Sequence, residues 1–460
     1  MRSTLRRSLT CSILFAALPA LAALGCSGST AEHSTNTTSD AGNKSRSDAG
    51  TGTVVASKVT RDLSPSVSAS DETSLVNGNT DFALSLYHGL STAPGGSTTG
   101  NLFYSPYSVS LALAMTYAGA NGETATQMAT ALDFTLAAAS LHPAFDKLDL
   151  AIEAAPKKAS GTAGAPFALT LADSLWGDQS VTFAQPFVDT LALDYGASLR
   201  TVDFADQPTQ AEAAINAWVA SETNDKIDPL LPPDAITSST EFVIVNAVYF
   251  DAAWATQFDK KMTQTGPFTR ADGTVVQTPI MSSQQAATKY WKGANYQAVE
   301  LPYSGDTTSM VIVLPDAGAY AAVESGLSGT FFDTVTTSLA YASEIDLTMP
   351  SFKIHGPTVS LVPELKALGM TDAFDAAKAD FTSMIPAGAV FIGDVLHQAF
   401  VDVDENGTEA AAATAVIGVG TAAPSNPVTM TVDRSFFFFI RDLASNSVLF
   451  VGREDDPTAQ

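Results

Sequence analysis

Only two cysteines, Cys11 and Cys26, occur in the 460-residue chain, so no disulfide framework holds it and its stability must come from packing. Basic residues are scarce as well. The 23 Lys plus Arg against 48 Asp plus Glu leave a net charge of −25, a sign that repels phosphate backbones and anionic lipid surfaces and excludes nucleic acid as a partner. Charged residues make up 15% of the chain against 45% hydrophobic, a balance that buries a large core and excludes disorder over most of the length. After about residue 75 no Gly/Pro/Ser-rich break and no charge run divides the sequence, which predicts one large domain. Also lacking are Gly-x-Ser-x-Gly, His-Glu-x-x-His and a phosphate-binding glycine loop, so a hydrolase reading has only scattered Ser, His and Asp to stand on. The expectation is a protein that is no enzyme and needs no cofactor or metal.

Met1 to Arg7 is basic, and Ser8 to Leu24 is apolar with small residues before Gly25-Cys26, the pattern of an export signal over residues 1–25. Cys11 and Pro19 interrupt the run and polar residues follow it at once, which argues against a permanent membrane span. Ala23-Leu24-Gly25-Cys26 resembles a bacterial lipobox, with Ala23 where that pattern prefers Leu. The resemblance implies that Cys26 is diacylated and becomes the first residue of the mature chain. The rival is an ordinary signal peptide with an incidental cysteine. Residues 26–74 are dominated by Ser, Thr, Asn, Gly and Ala without a hydrophobic period and predict a flexible polar linker. The protein is thus expected to be exported and anchored at the cell envelope or surface, touching the membrane through its lipid alone, or to be extracellular.

From Asp81 helical and strand patterns alternate without repeats. Phe82, Leu86 and Leu90 share one helical face, and Ser105-Pro106 opens a second helix that runs to about Ala118. Phe242–Phe250, Met310–Leu314, Glu344–Met349 and Val448–Val451 are short β-branched or aromatic runs that predict strands. Phe436–Ile440 is apolar at every position, as in a strand covered on both faces. The class is α+β.

Several blocks then become specific. Asn101-Leu102-Phe103-Tyr104-Ser105-Pro106-Tyr107-Ser108, Gly119 to Thr124, Ile215 to Val219 with Thr223 to Ile227, and Asn246 to Phe250 with Trp254 come in one order. Leu301-Pro302-Tyr303, Leu314-Pro315, Pro350 to Ile354, Leu368-Gly369-Met370, Asp433 to Phe436 and Leu449 to Arg453 continue it. Residues 75–460 therefore resemble the serpin family, with Ser435 where the family usually has Pro. The resemblance implies the serpin fold: mixed β-sheets, surrounding helices and an exposed reactive-centre loop, here about residues 405–428. It implies a buried hydrogen-bonding cluster, the shutter, at Ser105, Asn246 and His397. Trp254 falls in the breach, at the top of the main sheet.

Asp402 to Thr414 resembles the hinge of an inhibitory serpin, carried by Glu405, Gly407, Thr408, Glu409, Ala410, Ala411, Ala412, Ala413 and Thr414. A segment that slides between two strands has room only for small side chains, and alternation would turn Glu409 outward and Thr408, Ala410, Ala412 and Thr414 inward. A helix is opposed by Thr414, Val416, Ile417, Gly418 and Gly420. Asp402-x-Asp404-x-Asn406-Gly407 also matches half of a calcium loop, but Ala413 stands where the bidentate Glu is needed. Counting from Glu405, the family pattern sets the scissile bond at Thr421-Ala422, with Gly420-Thr421, Ala422-Ala423 and Ala423-Pro424 as alternatives. Small residues from Val419 to Ala423 fit an uncharged, shallow protease pocket of elastase-like or subtilisin-like kind. The expected partner is a target serine protease in covalent complex with a monomer. Papain-like cysteine proteases, or a non-inhibitory binding or structural role, are the alternatives.

Overall fold

The computed structural model describes residues 52–92, 100–155, 167–286, 288–342, 344–387, 390–408 and 427–459. Cys26, the residues from Glu409 to Thr414 and the Thr421-Ala422 bond lie outside the described residues.

Among the described residues six helices carry the first half of the domain: α1 (Ala69–Thr92), α2 (Pro106–Tyr117), α3 (Gly122–Ala131), α4 (Ala138–Glu153), α5 (Gln185–Tyr195) and α6 (Pro208–Glu222). α2 starts where the residue chemistry demands. Pro106 has no N–H to strand, and the Ser105 hydroxyl accepts the Ser108 N–H at 3.3 Å. Apolar side chains surround α2, and its buried hydroxyls Ser108, Ser110 and Thr116 each find an acceptor, so it lies buried behind the main sheet.

That sheet has eight strands among the described residues. They are β1 (Thr53–Val55), β3 (Phe167–Asp178), β4 (Leu199–Val202), β5 (Phe242–Ala253), β13 (Phe352–His355), β14 (Val359–Ser360), β15 (Asp394–Val403) and β16 (Gly407–Thr408), in the order β1-β4-β3-β5-β16-β15-β13 with β14 also on β15. A second sheet runs β11 (Ala340–Tyr341), β8 (Lys289–Lys292), β9 (Tyr296–Pro302), β10 (Thr308–Pro315), β18 (Phe436–Asp442), β19 (Val448–Glu454), β2 (Leu102–Tyr104). All seven residues of β18 are buried, since β10 and β19 flank it and helices and the other sheets cover its faces. The third sheet is β17 (Val428–Thr431), β12 (Glu344–Pro350), β7 (Val275–Ala286), β6 (Gln264–Thr269).

Two expected boundaries are corrected. The polar linker does not extend to residue 74, because β1 pairs with β4 through Thr53, Val54 and Val55, and α1 already begins at Ala69. Between them Arg61 forms ion pairs with Asp146 at 2.7 Å, Asp149 at 2.6 Å and Glu153 at 2.9 Å, all on α4. An added edge strand, the Arg61 ion pairs, and hydrogen bonds from Ser57 to Asp189 and from the Asp62 N–H to the Leu193 carbonyl dock a segment with no hydrophobic period. The second is the reactive-centre loop expected over residues 405–428, both ends of which run into strands. Gly407 and Thr408 are already a strand, and Val428 pairs in parallel with Ile345 of β12.

Candidate functional site

β5 and β15 run side by side in parallel from Val243 against Asp394 to Val248 against Ala399. Above that stretch they part, and β16 occupies the gap. Thr408 pairs with Val403 on one side and Ala252 on the other, while Gly407 faces Ala253. The main sheet is therefore forked, with its tines held open by two residues of the chain that leads into the loop.

The turn that returns the chain from β15 to β16 is built by Asp404. Its Oδ1 accepts the N–H groups of Asn406 at 2.7 Å and Gly407 at 3.2 Å, and its own N–H donates to the Gly407 carbonyl at 2.9 Å. Trp254, immediately beyond β5, donates its indole N–H to the Asp404 carbonyl at 3.0 Å and its backbone N–H to the Asn406 carbonyl at 2.9 Å. Glu405 lies in the turn as well; its carboxylate accepts the Thr263 hydroxyl at 2.6 Å. The carboxylate of Asp402 is paired with Lys353. Asp402 and Asp404, which a calcium loop would need, are thus engaged by protein groups.

Gly407 is required for space. A Cβ there would lie 2.1 Å from the Ala252 carbonyl oxygen, and no flexible group could yield to it. Thr408 is wholly buried, and its hydroxyl meets the Tyr303 hydroxyl at 2.7 Å. Burial pushes the Tyr303 phenol far up, so it is neutral and free to donate. The Tyr303 ring stacks on Trp254 with centroids 4.6 Å apart and planes 10° from parallel.

Lower down, where β5 and β15 touch, Asn246 and His397 are direct register partners. His397 Nδ1 hydrogen-bonds to Asn246 Oδ1, and Nε2 accepts the Ser105 N–H at 3.2 Å. With Nε2 accepting, the ring's one proton sits on Nδ1 and is donated to Asn246. Burial holds His397 down at about 3, so the ring is neutral at physiological pH. The Ser105 hydroxyl is given to the Leu449 carbonyl at 2.8 Å. The structure thus brings Ser105, Asn246 and His397 together, and Trp254 with Glu405, Gly407 and Thr408 some way above them.

Residue patterns had not singled out Asp173, Ser108 or Tyr303 as members of these networks. Asp173 Oδ1 accepts from Asn246 Nδ2 at 2.6 Å and from the Ser108 hydroxyl at 2.7 Å, which carries the His397 chain on to β3. A signal was present: Asp173 is the one acid inside β3, with Leu169, Leu171, Leu175 and Trp176 around it in the sequence and only Asp178 at the strand's end besides.

The family model for serpins (serine protease inhibitors) matches residues 77–457, and the chain belongs to that family. Its fold is the serpin fold. Among curated relatives, the leukocyte elastase inhibitor of Homo sapiens is 35% identical over 393 residues, covering 83% of this chain and 99% of that protein. Antithrombin-III of Homo sapiens is 33% identical over 391 residues, covering 83% and 82%. Among solved structures, the thermophilic serpin tengpin in its native state superposes with a TM-score of 0.75 at 29% identity, covering 87% of this chain and 98% of that one.

Proposed function

We propose that this chain is a bacterial-type serpin that traps a serine protease as a suicide substrate and has no catalytic activity of its own. The observation that carries the reading is the forked sheet, in which β16 sits between β5 and β15 with the loop leading directly from it. The chain beyond Thr408 is small for several residues, Glu409 apart, and can follow it into the gap.

The target's catalytic serine attacks the carbonyl carbon of Thr421. The bond to the Ala422 nitrogen breaks, the amine leaves with a proton, and an ester joins Thr421 to the protease. Glu409 to Thr414 then follow Thr408 into the sheet. About 14 residues at ~3.3 Å each carry the ester roughly 45 Å from where it formed. Pulled against the far end of the inhibitor, the protease loses the alignment of its oxyanion donors and triad, and hydrolysis of the ester stalls. The Ser105–His397–Asn246 cluster acts as a latch on the β5–β15 seam, and Trp254 stays against the turn above it.

Small residues around Thr421 favour elastase-like and subtilisin-like targets, a choice that agrees with the names of the leukocyte elastase inhibitors among the relatives. Incubation with elastase, subtilisin and trypsin should give adducts that survive boiling in detergent with the first two and few with trypsin. The released peptide should begin at Ala422. A strong trypsin adduct with none from the others would overturn the specificity, and clean cleavage without any adduct would make the chain a non-inhibitory serpin.

We also propose that Cys26 carries the lipid and is the first residue of an exported, envelope-anchored monomer, with residues 1–25 removed. Support comes from the basic, apolar and small-residue order that ends on it. Cys26→Ala should appear in the soluble fraction or remain unprocessed. Membrane retention equal to wild type, with processing elsewhere, would sink the assignment.

A further inference from the structure

Of the residue blocks that mark the family, Thr223 to Ile227 lies in neither the fork nor the shutter. It follows α6, which packs on the face of the main sheet turned away from α2, through Ile215, Trp218 and Val219 against Ala172 and Ala247. Asn224 and Asp225 both take the left-handed conformation, at φ 52° and 60°, which these two residue types tolerate, and the turn they make presents Lys226. The Thr223 hydroxyl fixes that turn, donating to the Val219 carbonyl at 2.8 Å and accepting the Ile227 N–H at 3.2 Å.

Lys226 reaches across the seam. Its ammonium lies 5.8 Å from the ring centre of Tyr249 on β5 and 6.0 Å from that of Phe400 on β15, a distance at which both rings attract a cation. The two rings are parallel to within 1°, with centres 6.4 Å apart. Both are buried and Lys226 is exposed, the arrangement of a long side chain that keeps its charge in water while its stem lies on apolar surface. His355, the register partner of Phe400 on β13, closes the other side, edge-on with ring centres 4.3 Å apart. The position is the crotch of the fork. The β5–β15 ladder ends with Val248 against Ala399, so Tyr249 and Phe400 are the next residues up, below Ala252 and Val403, where β16 holds the strands apart. By strand alternation they face away from Asn246 and His397, so the shutter lies on one face of the seam and this cluster on the other.

We propose that Lys226, Tyr249 and Phe400 form a clasp that sets the rate at which the main sheet opens for the loop, a role that rests on the loop-insertion reading. A strand entering the seam moves β5 and β15 from one interstrand spacing, about 4.8 Å, to two. The ring centres then stand about 11 Å apart, and a cation within about 6 Å of both would have to sit between them, in line with the entering strand. Lys226 must therefore let go of one ring before insertion passes this level. These contacts exist only in the uninserted sheet, so they hold it closed and contribute nothing to the inserted form. Arrest of the protease requires insertion to outrun ester hydrolysis. Lys226 is thus a positioning residue that tunes the partition between trapping and release without touching the scissile bond or the protease.

Uptake of a synthetic peptide with the sequence of residues 408–421 by the intact, full-length protein, followed on native gels, measures opening of the seam with no protease present. Lys226→Met, which keeps a long apolar stem and loses the charge, should take up peptide about three- to tenfold faster than wild type, and so should Phe400→Leu. Lys226→Arg keeps a cation over the rings and should behave as wild type. Because the two side chains act through one contact, the double variant Lys226→Met with Phe400→Leu should be no faster than the faster single one. Peptide-loaded wild type and peptide-loaded Lys226→Met should unfold at the same midpoint, which a general loss of folding stability would not give. A wild-type rate in Lys226→Met, uptake by Lys226→Arg as fast as by Lys226→Met, single effects that multiply in the double variant, or a loaded Lys226→Met that melts well below loaded wild type would each overturn the clasp while leaving loop insertion standing. No peptide uptake by wild type would overturn the loop-insertion reading itself, and the clasp with it.

Discussion

Thr408→Arg is expected to convert the inhibitor into a substrate: the loop is still cut near Thr421, but the protease leaves active and only cleaved product accumulates. Thr408 has no exposed surface, lies between Val403 and Ala252, and points its hydroxyl at Tyr303. A guanidinium in that slot would be buried without a carboxylate to receive it, at a cost of several kcal/mol even after relaxation. The arginine escapes by withdrawing β16 from the fork, so the first step of insertion must be made again against that penalty. Insertion and ester hydrolysis compete, and a delay worth ~1.4 kcal/mol already shifts the partition about tenfold. Withdrawal also separates Tyr303 from its partner and leaves the facing edges at the tops of β5 and β15 without a strand between them, so the uncleaved variant should melt below wild type. Thr408→Ser, which keeps the hydroxyl and the small volume, should inhibit almost as wild type does. Full inhibition by Thr408→Arg at an equal ratio of inhibitor to protease would show that insertion is not the mechanism.

Local chemistry is what made much of this molecule readable. Ser105-Pro106 signals a helix start because a capping hydroxyl and a missing N–H act within one turn, and α2 begins there. Phe436 to Ile440 needs apolar cover on both faces, and β18 lies mid-sheet. Ser105, Asn246 and His397 lie far apart in the chain; family order pointed to their meeting, and hydrogen-bond geometry alone could not have done so from sequence. Other features depend on contacts that leave little trace in composition. Residues 53–61 look like linker, since a three-residue edge strand and one arginine bind through backbone groups and charge, with no apolar stripe. Gly407 suggests backbone freedom when only the sequence is considered, yet its neighbour at 2.1 Å makes space the reason. The resemblance puts Thr408 among the residues that turn inward as the segment slides between two strands. In the folded chain it is already inside, because a fork between two parallel strands is a tertiary feature that no local pattern encodes.

Cleavage of wild type at Thr421-Ala422 is expected to raise its unfolding midpoint by ~20 °C or more, a shift far beyond what nicking a surface loop does. In the uncleaved protein β5 and β15 share a direct ladder over only six register pairs, Val243–Val248 with Asp394–Ala399, and β16 fills just two positions above it. Once the loop is free at one end, the residues after Thr408 can exchange that single ladder for two, one on each side of a new central strand. At about 2.1 cal/mol/K per residue, a domain of roughly 400 residues needs on the order of 0.8 kcal/mol for each degree of midpoint. A rise of ~20 °C therefore asks for on the order of 16 kcal/mol, several times what any one side-chain contact supplies. A strand of about 14 residues hydrogen-bonded on both edges, at ~1 kcal/mol net per bond with added burial of alanine and threonine methyls, is of that size. Cleaved Thr408→Arg should gain much less, because its new strand begins with an unpaired charge at the top of the fork. A midpoint for cleaved wild type within about 3 °C of the intact protein would mean that the loop stays outside the sheet, whatever adducts form.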